Sequence, residues 1–398
     1  MTESVPPAGT GGTPGEVLAA FLRLGLSAFG GPAAHIGYFR DAFVHRRRWL
    51  DEASYADLVA LCQFLPGPAS SQVGMALGLM RAGPLGALAA WTGFTLPSAL
   101  LMALAARGAS ALSGRLGQGI VHGLKLVAVA VVAQAVLGMA RTLTPDARRA
   151  AIALLALAIV TFAHATIGQV AAIAAGGCCG LLFCRETASP AAPSSLRVSR
   201  GFGVASLCAY AILLLLGPVA AALTGSRRLA EFDAFYRSGA LTFGGGHVVL
   251  PLLRQAVVDP GWVRPDVFLA GYGAAQAMPG PLFTFGAYLG EAMNGPGGAL
   301  LALFAVFLPG MLVLLGVLPF WAEIRGRPSV RAALTGANAA VVGVLAAALY
   351  GSIWTGSVLG AADFAIASAG FVALAAFGWP PIVVVVLGIA LGCIRTFA

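Results

Sequence analysis

Residues 21–31 read Phe-Leu-Arg-Leu-Gly-Leu-Ser-Ala-Phe-Gly-Gly, and residues 235–245 read Phe-Tyr-Arg-Ser-Gly-Ala-Leu-Thr-Phe-Gly-Gly. The likeness runs on at a spacing of 212–214 residues: Arg40 with Arg254, Trp49 with Trp262, Gln63 with Gln276, and Pro66-Gly67-Pro68 with Pro279-Gly280-Pro281. Gly74 and Gly78 then match Gly286 and Gly290, Gly83-Pro84 matches Gly295-Pro296, and Pro97 matches Pro309. A duplicated apolar chain that keeps an arginine and a helix-breaking triplet in each copy has the pattern of a transporter built from internal repeats.

Composition fixes the class. Of 398 residues, 59% are hydrophobic and 10% charged, with a mean hydropathy of +0.88, where a soluble chain carries about 25% charged residues. Continuous apolar runs rich in Ala, Leu, Val and Gly indicate helices rather than the alternating strands of a membrane barrel. The expectation is an all-α polytopic membrane protein with the lipid bilayer as its solvent. The net charge of +9 comes from short arginine clusters between apolar runs, a loop pattern that does not suit nucleic-acid binding. Cys178-Cys179-x4-Cys184 lies in an apolar run without His or acidic neighbours, so packed cysteine is expected and no metal or other cofactor. Residues 1–15 have no basic stretch ahead of an apolar one, so no cleavable signal is expected.

Thirteen apolar runs of spanning length can be marked, at 17–38, 54–80, 85–106, 119–139, 150–166, 168–184, 203–223, 234–256, 266–290, 297–321, 331–352, 358–377 and 380–397. About 10–13 transmembrane segments are expected, depending on how many turn back. The organisation reads as a disordered N-terminus (1–16), a first repeat (17–184), a polar linker (185–202), a connecting helix (203–223) and a second repeat (231–398). If every run spans, the odd connecting helix makes the repeats inverted. If only the first run of each copy re-enters, the repeats are parallel; inverted repeats are the expectation. Loop charges give only a mild excess of Arg on the N-terminal side, which favours a cytoplasmic N-terminus.

Several residue types point to anion chemistry. Arg23 and Arg237 each lie inside an apolar run, where a charge costs roughly 2.5–3.5 kcal/mol on insertion scales. A guanidinium fork suits a bidentate oxyanion. The alternative is snorkelling to the headgroups, or pairing with Glu231 or Asp233. Pro66-Gly67-Pro68 and Pro279-Gly280-Pro281 must break their helices, because proline lacks the donor and glycine tolerates positive φ. The half-helix beginning at each second proline presents free N–H groups to an anion, with Ser70, Ser71 and Thr284 beside them. Gly30-Gly31 and Gly244-Gly245-Gly246 could form a second backbone nest. Gln63 and Gln276 precede the breaks. His35 and His247, beyond the Phe-Gly-Gly elements, are candidates for proton coupling.

Phe-Gly-Gly-Pro-x-x-His in the first copy, Phe-Gly-Gly-Gly-His in the second and Pro-Gly-Pro in each resemble the chromate ion transporter family in its long, two-domain form. The resemblance covers about 20–110 and 234–325. It implies a multi-pass protein of the bacterial inner membrane that exports chromate and confers resistance, with sulfate as a related oxyanion. The family's motif positions fall on Arg23, Phe29, Gly30, Gly31, Pro32, His35 and Pro66-Gly67-Pro68. In the second copy they fall on Arg237, Phe243, Gly244, Gly245, Gly246 and Pro279-Gly280-Pro281. A permease taking up sulfate or another oxyanion, a channel and an intramembrane enzyme are the competing readings. No convergent nucleophile or acid pair favours the enzyme. A homodimer is left open.

Overall fold

The computed structural model describes residues 11–29, 31–111, 114–162, 165–184, 198–243, 246–325 and 327–397, and every element among them is helical. Copy one comprises α1 (Pro14–Ser27), α2 (Gly31–Arg40), α3 (Glu52–Phe64), α4 (Ala69–Ala111), α5 (Gly114–Leu143), α6 (Ala147–Phe162) and α7 (Ala165–Phe183). The connecting helix is α8 (Arg200–Thr224). Copy two follows as α9 (Arg227–Ala240), α10 (Val249–Val257), α11 (Pro265–Ala275), α12 (Phe285–Val317), the short α13 (Trp321–Arg325), α14 (Pro328–Ala348), α15 (Ala361–Ala375) and α16 (Pro381–Phe397). Gly30, Gly244, Gly245 and most of the 185–202 linker fall outside the described residues, as does the side chain of His247.

Helix starts follow their local chemistry. The Thr13 hydroxyl accepts from the Glu16 N–H at 3.2 Å ahead of Pro14, and Asp51 accepts from the Ser54 N–H at 2.9 Å at the head of α3. Each such cap satisfies a donor that the first turn leaves unpaired.

Charged and aromatic side chains show which segments cross. Arg81 pairs with Glu16 at 3.2 Å, and its guanidinium lies 5.5 Å from the Trp49 ring centre. The start of α1, the α2–α3 loop and the end of the first arm of α4 therefore share one face. The chain leaves that face twice and returns twice, so the runs 17–38 and 54–80 turn back instead of crossing. Copy two repeats the arrangement. Arg227 lies 4.3 Å from the Trp262 ring centre, and the Asn294 amide donates to Glu231 at 2.7 Å.

The faces are opposite. Arg200 at the start of α8 pairs with Glu323, and the Trp321 indole donates to Asp57 at 3.4 Å, which puts the start of α8 on the face where copy one begins. The 25 residues of α8 rise about 37 Å and deliver copy two to the far side. The repeats are inverted, with two re-entrant runs in each copy rather than none or one. An even number of turn-backs keeps the parity that inversion needs.

Gly83 (φ 66°, ψ −159°) and Gly295 (φ 66°, ψ −154°) reverse the chain within α4 and α12. The arms fold back so tightly that a Cβ at Gly78 would collide with the Gly86 carbonyl, and one at Gly290 with the Gly298 carbonyl. In each Gly-x-x-x-Gly pair the second glycine closes the hairpin; of the first, Gly286 also faces the second arm, while Gly74 seats the Phe21 ring of α1. After the hairpin, the second arm of α4 crosses.

Among the described residues, five helical segments are long and apolar enough to cross a membrane: Ala69–Gly108, Gly114–Leu143, Arg200–Thr224, Leu282–Phe320 and Pro328–Gly351. The last helices of each copy pack on the other copy. A Cβ at Gly123 of α5 would strike the Gly388 carbonyl of α16, and one at Gly336 of α14 the Gly176 carbonyl of α7. Likewise a Cβ at Gly343 of α14 would lie 2.8 Å from the Leu157 nitrogen of α6, as one at Gly370 of α15 would lie 3.1 Å from the Ala130 Cβ of α5. These matched contacts set α5 and α14 in register at a spacing of 213 residues.

Single cysteines placed at the exposed Arg47 and at Ala82, with the native cysteines replaced, should react with a membrane-impermeant thiol reagent from one face, and those at Trp262 and Asn294 from the other. Labelling of positions 47 and 82 from opposite faces would disprove the re-entrant arrangement.

Candidate functional site

The four helix breaks meet between the copies. The Gly67 N–H donates to the Thr242 carbonyl at the end of α9 (2.7 Å), and the Gly280 N–H donates to the Ala28 carbonyl at the end of α1 (2.9 Å). Each Pro-Gly-Pro of one copy therefore caps the first half-helix of the other. Only glycine fits: φ is 114° at Gly67 and 89° at Gly280, and a Cβ would lie 2.8 Å from the Gly310 Cα or 3.0 Å from the Phe94 carbonyl.

Polar side chains tie the crossing together. Gln72 donates to the Pro66 carbonyl (2.9 Å) and to the Gly310 carbonyl of copy two (3.0 Å). In the mirror position Thr284 donates to the Pro281 carbonyl (2.8 Å) and meets Ser98 of copy one at 2.7 Å. His35 is fully buried, with Nε2 3.2 Å from the Ala28 carbonyl and Nδ1 3.3 Å from the Ser70 hydroxyl. A carbonyl only accepts, so Nε2 carries the proton and Nδ1 accepts from Ser70. Ser70, Thr284 and His35 are thereby engaged in holding the breaks, whereas the buried Ser71 hydroxyl has no partner among the described residues.

Beside the copy-one break is a cavity of about 510 Å³. Pro32 at the head of α2 and Gly67 and Ala69 at the head of α4 form its inner end, with Gln63 on the α3 wall. The opposite wall is Thr335 and Asn338 of α14, and Thr142 and Arg149 stand toward the face where copy one begins. Two half-helix N-termini thus bring unpaired N–H groups to one space. Asn338 is 8% exposed, and its buried Oδ1 has no hydrogen-bond partner. Oxygen and nitrogen of an amide are interchangeable by a flip, so Asn338 can offer a donor to an anion in the cavity.

The paired arginines do not converge there. Arg237 Nε lies 3.0 Å from Asp233 Oδ2, charge-paired without a well-aligned hydrogen bond. Arg23 is on the exposed side of α1, away from the buried Val17, Ala20, Phe21 and Gly25. Gly246 is buried with a Cβ position 3.4 Å from the Pro32 ring, and the Gln276 Nε2 is buried without a partner. Gly31, at φ 76°, opens α2.

The family model for chromate transporters matches residues 15–181 and 229–393, the two copies. The chain belongs to the chromate transporter family. It is 31% identical over 363 residues to a chromate transport protein of Pseudomonas aeruginosa, covering 87% of this chain and 82% of that one. Identity to a chromate transport protein of Cupriavidus metallidurans is 28%, over 84% and 81% of the two chains. An uncharacterized transporter of Methanocaldococcus jannaschii is 26% identical over 78% and 77%. No solved structure matches.

Within this chromate transporter fold, the cavity adds Asn338, Thr335 and Arg149 to the residues that the repeat pointed to. Sequence reasoning passed over them because it weighed residues kept in both copies. The signal for Asn338 was there, as an amide in the middle of the apolar run 331–352.

Replacing Gly67 or Gly280 with alanine should lower the melting temperature of the detergent-solubilised protein, since a left-handed L-residue costs about 1–2 kcal/mol before any clash. Gly37→Ala, inside α2 with no atom near its Cβ position, should leave it unchanged or raise it. Equal melting temperatures for all three would show that the crossed breaks do not constrain the fold.

Proposed function

We propose that this protein is a secondary transporter that exports chromate, or a closely related tetrahedral oxyanion, from the bacterial cytoplasm and so confers resistance. The carrying observation is the cavity between the copies, closed at its inner end by two half-helix N-termini and the unpartnered Asn338 amide. A dianion loses a hydration shell whose cost in a low dielectric is tens of kcal/mol. One helix terminus returns up to ~2 kcal/mol and one charge-assisted hydrogen bond ~1.5–3 kcal/mol. Several such groups must converge, and the heads of α2 and α4 with the Asn338 amide supply them in one place.

Orientation supports the direction. The face where copy one begins carries Arg46, Arg47, Arg48, Arg148, Arg149, Arg200, Arg327 and Arg331; the other carries Arg107, Arg115, Arg227, Arg228 and Arg264. By the positive-inside tendency the first face is cytoplasmic, and the inner membrane of a bacterium is the setting this fits. The cavity then opens to the cytoplasm, ready to load. The names of the relatives favour chromate over sulfate, whose shape is the same. Gln63, Asn338 and the free N–H groups at the heads of α2 and α4 are the groups we assign to the anion.

Labelled chromate should accumulate saturably in everted vesicles containing the wild-type protein, with excess sulfate competing. Asn338→Leu should raise the half-saturating chromate concentration about tenfold or more, the loss of one charge-assisted donor. Flux no higher than in empty-vector vesicles would refute the export reading. Wild-type kinetics in Asn338→Leu would remove the cavity from the path.

A further inference from the structure

The inverted copies are not in the same conformation. In copy one, Ala60 and Gln63 of α3 and Asn338 of α14 face each other across the cavity. In copy two the equivalent surfaces are closed: a Cβ at Gly273 of α11, the counterpart of Ala60, would collide with the Leu124 carbonyl of α5. Gln276, the counterpart of Gln63, lies one turn beyond that contact with its Nε2 buried and unpartnered. Two inverted copies in unlike conformations, one parted and one shut, are what alternating access around a central site requires of a single state.

The register of α5 and α14 says what the shut half-site contains. The crossing of Gly123 on α16 matches that of Gly336 on α7, and the contact of Ala130 with Gly370 matches that of Gly343 with Leu157. At this spacing Asn338 corresponds to Lys125, the residue next to Leu124 at the α11 contact. Lys125 is the chain's sole lysine. It stands within the 30-residue apolar span Gly114–Leu143, where a charge costs roughly 2.5–3.5 kcal/mol on insertion scales. One turn nearer the start of α5, His122 contacts Asp363 at 2.8 Å, and Asp363 also holds Arg395 at 2.6 Å, while Arg115 and Arg141 stand exposed near the two ends of the helix. Lys125 is half-buried and makes neither an ion pair nor a hydrogen bond among the described residues. A charge retained within a span without a protein counter-ion awaits a mobile one.

We infer that Lys125 is the anion-binding charge of a second half-site, built from α5, α11 and the Pro279-Gly280-Pro281 break, which is shut in this conformation and opens to the face opposite the cavity. The inference rests on the oxyanion-transport reading above and extends it. The anion passes from a neutral amide and two helix ends on one side to an ammonium on the other. Arg23 and Arg237 need not enter the path, since Lys125 supplies the full charge that the helix ends lack.

Proteoliposomes of known orientation holding the full chain separate the possibilities, with labelled chromate and labelled sulfate applied to each face in turn. Lys125→Met keeps an unbranched side chain one atom shorter and removes a charge from an apolar span, so insertion is not impaired. It should raise the half-saturating concentration about tenfold or more from the face opposite the cavity, while the cavity face changes less than twofold. Lys125→Arg should restore most of the difference. Equal changes on both faces, or none, with wild-type flux intact, would overturn the role of Lys125 alone. Wild-type protein that carries neither anion would overturn the transport reading and this inference with it.

Discussion

A helix broken inside a membrane exposes backbone groups that water cannot reach, and everything distinctive in this protein follows from how those groups are satisfied. The Gly67 and Gly280 N–H groups each find a carbonyl in the opposite copy, so neither set of half-helices is complete without the other. The positive φ at both glycines, the close approach of Gly310 and Phe94, and the Gln72 and Thr284 ties serve that crossing. It places the irregular backbone where it lines a cavity instead of facing lipid, and it fixes the meeting point of the copies near mid-membrane.

Around the fixed crossing the two halves are free to differ. α3 stands apart from α14 while α11 is pressed on α5. The hydrogen bonds that hold the breaks join the copies at their pseudo-symmetry axis, whereas the surfaces that part or close lie off it. For the transport cycle proposed above, a crossing of satisfied backbone with unlike flanks reconciles a site rigid enough to strip water from an anion with one that opens to each side in turn.

Much of the architecture was legible from the repeat: duplication, broken helices, and a glycine at the one position of each break where the backbone is left-handed. Parity was not. Whether a run such as 54–80 crosses or turns back depends on where Arg81 ends up relative to Glu16 and Trp49, a contact between distant residues that hydropathy does not encode. The charge asymmetry of the loops was blurred for the same reason, because alternating the faces at every run assigned loops to the wrong side. The sites followed a similar division. Pro-Gly-Pro could be read as a break, but the partners of its N–H groups could not, and emphasis on residues shared by both copies passed over Asn338. Arg237 shows the reverse: repetition marked it for function, and the structure gives it Asp233 four residues earlier.

The exchange of terminal helices has a consequence for biogenesis. α7 leaves the ribosome long before α14, yet the small-residue face of α7 at Gly176 and Gly180 is covered only by Gly336 and its neighbours. The first half must therefore wait in the bilayer, inserted but unlatched, until the second half is translated and its own last helix closes over α5. Final assembly is a late event of long sequence separation, and the newborn half-protein depends on lipid or an insertase to shield a groove meant for helices not yet made.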